Sequence, residues 1–170
     1  MSASGEAGEA PLDRRLNAFR PDLADARLEG RVEAERFAAG EPRRVRAPSA
    51  PVRRAPSPSA PLDTELLAGE EVEVFDVDGE GWAWVRSAVD GYVGYAPADA
   101  LGSPEGVAEP THRVVVPSTL VFAEPDIKSP PVATLSMGAG VAAVGEMEGG
   151  GRLFLRLSDQ SLVVDRHVRA

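Results

Sequence analysis

The reading of the fold turns on Gly81-Trp82-Ala83-Trp84-Val85-Arg86-Ser87-Ala88-Val89-Asp90-Gly91-Tyr92-Val93-Gly94-Tyr95-Ala96-Pro97. Within it, 82–87 and 92–96 are short runs of alternating character bounded by Gly, Asp and Ser, the pattern of half-buried strands rather than of helices. Similar runs continue outward on both sides. Upstream they predict strands over 43–47, 50–53 and 71–77; downstream, over 113–116, 120–123, 140–146, 153–157 and 162–164. From Arg43 onward no helical period survives, so that span reads as all-β.

The two groups of strands repeat one another. A shift of 69 residues lays Pro48 on Pro117, Ser49 on Ser118, Val52 on Val121, Pro56 on Pro125, Pro61 on Pro130, Leu66 on Leu135, Gly69 on Gly138 and Val72 on Val141. One further residue in a turn brings Gly81-Trp82-Ala83-Trp84-Val85-Arg86 over Gly151-Arg152-Leu153-Phe154-Leu155-Arg156. A unit of roughly 60 residues with a handful of short strands cannot cover both faces of a wide sheet, but it can curl into a small barrel that hides its edges. The expected architecture is two small β-barrels in tandem, 43–104 and 105–170, joined at the linker-like Gly102-Ser103-Pro104-Glu105-Gly106.

Residues 1–42 form an N-terminal extension. Positions 1–20 hold few large apolar groups and read as disordered or loosely attached. Asp22 is placed to cap a short helix carrying Leu23, Ala24 and Leu28, with Gly30 as its stop, and 32–37 fits helix and strand equally. The opening, 1–17, has neither the basic start nor the apolar stretch of a signal peptide.

Composition excludes much chemistry. The 170 residues contain 15 Pro, 17 Gly and no Cys, are 43% hydrophobic and 5% aromatic, and carry a net charge of −9. Without cysteine there is no disulfide, no thiolate metal site and no thiol nucleophile in this chain. No run approaches the ~18 apolar residues of a membrane span, so the expectation is a soluble, cytoplasmic protein with no membrane partner. Eleven acidic residues and one basic residue fall between positions 61 and 105. Such a stretch repels phosphate backbones, which argues against nucleic acid, and attracts cationic ligands; equally, its carboxylates read as solvated faces that keep a small domain soluble. His112 and His167 lack partners at metal-ligand spacing. Gly149-Gly150-Gly151 lacks the Lys-Ser/Thr of a phosphate loop and reads as a hairpin turn. No metal or cofactor is expected, and with no Gly-x-Ser-x-Gly elbow a serine hydrolase has no support.

Gly69-Glu70-Glu71-Val72, Gly81-Trp82-Ala83-Trp84-Val85 and Asp90-Gly91-Tyr92-Val93-Gly94-Tyr95-Ala96-Pro97, closing on Leu101, together resemble the bacterial SH3 (SH3b) domain. With Asp63-Thr64-Glu65-Leu66-Leu67-Ala68-Gly69-Glu70 before that motif and a second, degenerate barrel after it, residues 20–170 resemble more narrowly the amino-terminal half of NlpC/p60 cell-wall peptidases. Those enzymes, of the γ-D-glutamyl-L-diamino acid endopeptidase (dipeptidyl-peptidase VI-like) kind, cut murein stem peptides. The resemblance implies two tandem SH3-like barrels, followed in those enzymes by a papain-like domain with a Cys-His pair. Since this chain has no cysteine, it is expected to be no enzyme by itself. Its implied partners are a murein stem peptide (L-Ala-γ-D-Glu-diamino acid) and an NlpC/p60 catalytic domain in cis or in trans.

The resemblance also implies a site. An acidic residue and a tyrosine recognise the free amino group of the terminal L-Ala, and these fall on Asp63 and Tyr92. Asp63 is one methylene shorter than the Glu expected in relatives. Read without the resemblance, Asp63 is a turn residue after Pro61-Leu62 and Tyr92 packs on the barrel. Trp82 and Trp84, two apart on one strand, face the same side, where they either pack on the barrel or a neighbouring domain, or offer an aromatic platform to a peptide or sugar ring. The second repeat has Arg152 and Phe154 at those positions and lacks the Gly-Tyr-Val-Gly-Tyr run, so it reads as scaffold. The expected function is a non-catalytic substrate-recognition and scaffold module for murein peptides. The competing reading is a stand-alone protein-interaction module whose acidic first barrel takes a basic or extended strand.

Overall fold

The structure, a computed structural model, describes residues 11–170. In place of the short helix expected after Asp22 there is a strand, β1 (Ala24–Asp25), paired in parallel with β2 (Phe37–Ala38), and a single 3-10 turn at Ala26–Leu28. The cap is Asp25, whose side chain accepts the Arg27 backbone N–H, while Leu23 and Ala24 are withdrawn from solvent. The few residues left before the positive φ of Gly30 cannot nucleate an α-helix. Nor is this segment loosely attached. Ala18 and Leu23 are buried against Phe75, Trp84 and Val93, and the Val93 N–H donates to the Arg15 carbonyl at 2.7 Å. The disorder expected of 1–10 lies outside the described residues.

The first repeat comprises β3 (Glu41–Val45), β4 (Ser49–Arg53), β5 (Leu62–Leu67), β6 (Glu71–Val77), β7 (Trp82–Ser87), β8 (Val93–Pro97) and β9 (Leu101–Gly102). They form one sheet in the order β5-β4-β8-β7-β6-β3-β9. Val45, Val52, Leu66, Val72, Val85 and Ala96, from six of its strands, meet in a single core, so the sheet curls round on itself. The curl does not close. The ladder ends at β5 on one side and at the two-residue β9 on the other, and the barrel expected from sequence is an open, strongly bent sheet. Gly94 sets the tightest crossing: a Cβ there would lie 2.6 Å from Val52 Cγ1 and 2.7 Å from the Arg53 carbonyl oxygen. Only glycine lets β8 pass so near β4.

The second repeat comprises β10 (His112–Val114), β11 (Ser118–Phe122), β12 (Pro131–Ser136), β13 (Gly140–Val141), β14 (Ala143–Gly149), β15 (Arg152–Leu157), β16 (Leu162–Val164) and β17 (Val168–Arg169). Here the strands divide into two sheets, β12-β11-β16-β15-β14 and β13-β10-β17, so this unit is not a closed barrel either. The repetition extends to its irregularities. The register shift at Val52/Arg53 recurs 69 residues later at Val121/Phe122, and the one between Val74 and Asp76 recurs between Ala143 and Gly145. The units touch directly: Leu67 and Ala68 pack on the core of the second, and the Gly140 N–H donates to the Ala68 carbonyl at 2.7 Å. Among the described residues no helix is long and apolar enough to cross a membrane.

Candidate functional site

Asp63 sits where β4 and β5 slip register. Val52 faces Thr64 and Arg53 faces Leu62, which leaves Asp63 as the extra residue of the bulge. Bulges re-aim the side chain they displace, and here the displaced group is a carboxylate only 5% exposed. Its Oδ1 accepts Arg54 Nε at 2.8 Å. Its Oδ2 is buried and, among the described residues, has no hydrogen-bond partner.

A short chain of hydrogen bonds connects this bulge to Tyr92. Thr64, next in sequence to Asp63, donates its hydroxyl to Asp90 Oδ2 at 3.0 Å, and the Tyr92 backbone N–H donates to Asp90 Oδ1 at 3.0 Å. Partial burial raises the Asp90 carboxyl, but the bonds from the Tyr92 N–H, Ser87 and Thr64 outweigh it and hold the group below the ordinary carboxylate range. Asp90 is therefore an anionic tie that fixes the turn carrying Tyr92 against the strand carrying Asp63. Arg15 completes the surroundings. Its guanidinium is clamped by Asp13 at 2.8 Å and lies within electrostatic reach of both Tyr92 and Asp63.

The structure thus brings Asp63 and Tyr92 into one neighbourhood and adds Arg54, Thr64, Asp90 and Arg15, none of which was singled out from sequence. An Asp two residues before a backbone N–H is the signature of an Asx turn, so Asp90-Gly91-Tyr92 carried a usable signal for one of them.

The tryptophans are separated by burial. Ala83 and Val85 point into the core, which sets Trp82 and Trp84 on the opposite, outer face. There Trp84 is only 4% exposed: Phe75 lies 5.5 Å from it, centroid to centroid, and the Arg20 guanidinium stands 4.4 Å over its ring. Arg20 is held in place by Asp22 at 2.7 Å and Asp76 at 2.8 Å. The paired platform is therefore not formed, because the N-terminal segment occupies the ring face that a ligand would stack on; Trp82 alone stays half-buried.

The acidic stretch is also less bare than its composition. Asp63, Glu71, Glu73 and Asp76 pair with Arg54, Arg44, Arg27 and Arg20, all contributed from outside it.

A curled sheet of short strands with a buried carboxylate at one of its bulges defines a small β-module of the SH3 type. Residues 52–101, most of the first repeat, match the family described as the bacterial dipeptidyl-peptidase Sh3 domain. Among solved structures, it is similar to an NlpC/P60 family protein from Bacillus cereus, with 17% identity and a TM-score of 0.57, covering 76% of this chain and 56% of that one. Similarity to NlpC2 and NlpC1 of Trichomonas vaginalis is weaker. The TM-score is 0.34 in both cases, with 11% identity over 79% of this chain and 49% of NlpC2, and 13% over 81% and 48% for NlpC1. This chain therefore spans about half the length of the structures it matches. No curated protein matches it.

Proposed function

We propose that this chain is a non-catalytic recognition module for murein stem peptides, serving an NlpC/p60-type catalytic domain in cis or in trans, and that it reads the free amino end of the peptide. The observation that carries this reading is the buried Oδ2 of Asp63, which has no hydrogen-bond partner among the described residues. A carboxylate oxygen withdrawn from water without a donor costs about 1–3 kcal/mol, which an incoming ammonium group offsets with a charge-assisted hydrogen bond, whereas the single amide N–H of an acylated terminus brings no charge. Discrimination between a free and a blocked terminus follows from that difference. Tyr92 supplies a ring and a hydroxyl on a turn that Asp90 immobilises. The chain contains no cysteine and so provides no thiol for peptide hydrolysis. The reading of the module as a salt-sensitive acidic surface loses ground, because several of the relevant carboxylates are already in ion pairs.

The test is an NMR titration of the full chain with L-Ala-γ-D-Glu-diaminopimelate, in free and N-acetylated forms. Saturable shifts at Asp63 and Tyr92 are expected with the free peptide, about ten-fold weaker or less with the acetylated one, and none with Asp63→Asn. Equal response to both peptides, or silence at millimolar concentration, overturns the proposal.

A further inference from the structure

The outer face of the second repeat holds a hollow of about 340 Å3 that is separate from Asp63. Leu120, Phe122, Ile127 and Val164 form its apolar lining, and Arg152, Arg166 and His167 stand round it. That volume lies at the lower end of the roughly 300–1,000 Å3 typical of small-ligand sites. In the first repeat the same face is sealed. Trp84 and Tyr95 are cross-strand partners there, as Phe154 and Val164 are here, but Ala18 and Leu23 of the N-terminal segment cover the first pair. The second pair is buried without such a segment, in a cluster with Phe122 and Leu162, and it is the neighbouring Leu120 and Ile127 that stay open. Phe122 packs edge-on against Phe154 at 6.3 Å, while Leu120 and Ile127 remain 41% and 43% exposed.

The polar members of the hollow are unusually placed. Where Trp82 faces Pro97 in the first repeat, the second has Arg152 and Arg166. Among the described residues neither guanidinium makes an ion pair or a side-chain hydrogen bond. Asp165, which lines the adjoining smaller hollow with both arginines, pairs with neither. Both positive charges act on the His167 imidazole, which burial, Arg166 and Arg152 together hold below its ordinary pKa. Its Nδ1 is engaged by the Thr119 hydroxyl at 2.8 Å. Two guanidinium groups, that of Arg152 half-buried and that of Arg166 exposed, therefore border one apolar surface without a carboxylate partner among the described residues, in a chain whose net charge is −9.

The geometry points to a binding site for an aliphatic carboxylate, with Arg152 and Arg166 taking the carboxylate and Leu120, Ile127 and Val164 taking the aliphatic body. A free phosphate would leave the apolar lining bare, a neutral apolar ligand would leave both cations unpaired, and a polyanion is repelled by the rest of the molecule. Such a carboxylate is presented by a small branched-chain acid or by the last residue of a peptide.

The experiment is a titration of the isotope-labelled full chain with N-acetyl-leucine and with its neutral isostere N-acetyl-leucinamide. Saturable shifts are expected at Leu120, Phe122, Ile127, Val164 and His167 with the acid, with the amide about ten-fold weaker and Asp63 and Tyr92 unmoved by either. The double variant Arg152→Gln, Arg166→Gln, checked for a dispersed spectrum, should abolish the preference for the acid, and Arg152→Lys, Arg166→Lys should retain part of it. Equal binding of acid and amide, shifts confined to other surfaces, or no response at tens of millimolar would sink the site. Acetyl-dialanyl-leucine separates the two sources within the proposal: tighter binding than N-acetyl-leucine assigns a peptide end, weaker binding a free acid.

Discussion

Asp63 owes its position to one extra residue in β5, and the second repeat has the same bulge with an apolar residue in it. There Val121 faces Ala133 and Phe122 faces Pro131, so Val132 is the displaced residue, and it is 60% exposed. A carboxylate in the buried version of this position is a liability in the unbound protein, since its Oδ2 has no donor among the described residues and the Arg54 that serves Oδ1 is mostly in solvent. Asp63→Val should therefore leave the ligand-free fold unchanged or more stable, by up to about 1 kcal/mol, while abolishing recognition of a free amino terminus. Thermal unfolding followed by circular dichroism checks the first half, and a clear drop in midpoint would show that Asp63 is a structural residue. Asp63 and Tyr92 were legible as residues because a motif carried them. Their setting was not: Arg15 lies far away in sequence, and the role of Arg54 depends on a register slip that no local pattern announces.

At the level of elements, the strands with clean alternation were legible, and those without it were not. β6, β7 and β16 have the limits that their sequences predict. β5 and β12 escaped because each buries one residue alone, Leu66 and Leu135, and mixes charged and apolar groups along its length. The N-terminal segment misled for the opposite reason. Its Asp, Leu and Ala spacing suits a helix, but tertiary burial of Leu23 against Phe75 and Trp84 overrides that local preference. This strap is the element that distinguishes the two repeats, and Leu23 is its anchor at 0% exposure. Leu23→Ala should cost about 2–5 kcal/mol and shift tryptophan emission to the red as water reaches Trp84. Hydrogen exchange should speed at the Val93 amide, which donates to Arg15, with much less change in the second repeat. An unaltered emission spectrum would mean that the strap is held by its ion pairs through Arg20 and Arg27 rather than by burial.

For the whole molecule, the repeat was legible as eight coincidences of residue type, yet the way the copies join was not, because the joint depends on close backbone approach. Gly69 and Gly140 meet there with Pro110. A Cβ on Gly140 would lie 2.8 Å from the Pro110 ring, and the Gly140 N–H is already bonded to the Ala68 carbonyl. A hollow of about 440 Å3 opens beside this contact, lined by Val45, Val107, Leu135 and Leu157 from both units. The joint thus combines this close glycine contact with the packing of Leu67 and Ala68 on the second core, flanked by unfilled space. Gly140→Ala should cost about 1–3 kcal/mol through overpacking, and the loss should fall on the coupling between repeats rather than on either core. Since the cores drawn on by Val52 and Val121 are separate clusters, the wild-type chain should melt in one transition and the variant in two. Calorimetry distinguishes the cases. A variant that still melts in a single step, merely shifted, would show that the repeats are coupled through Leu67 and the hollow rather than through the glycine contact. The orientation of the Asp63 site relative to the second repeat would then be set by side chains that sequence comparison of the two copies does not align.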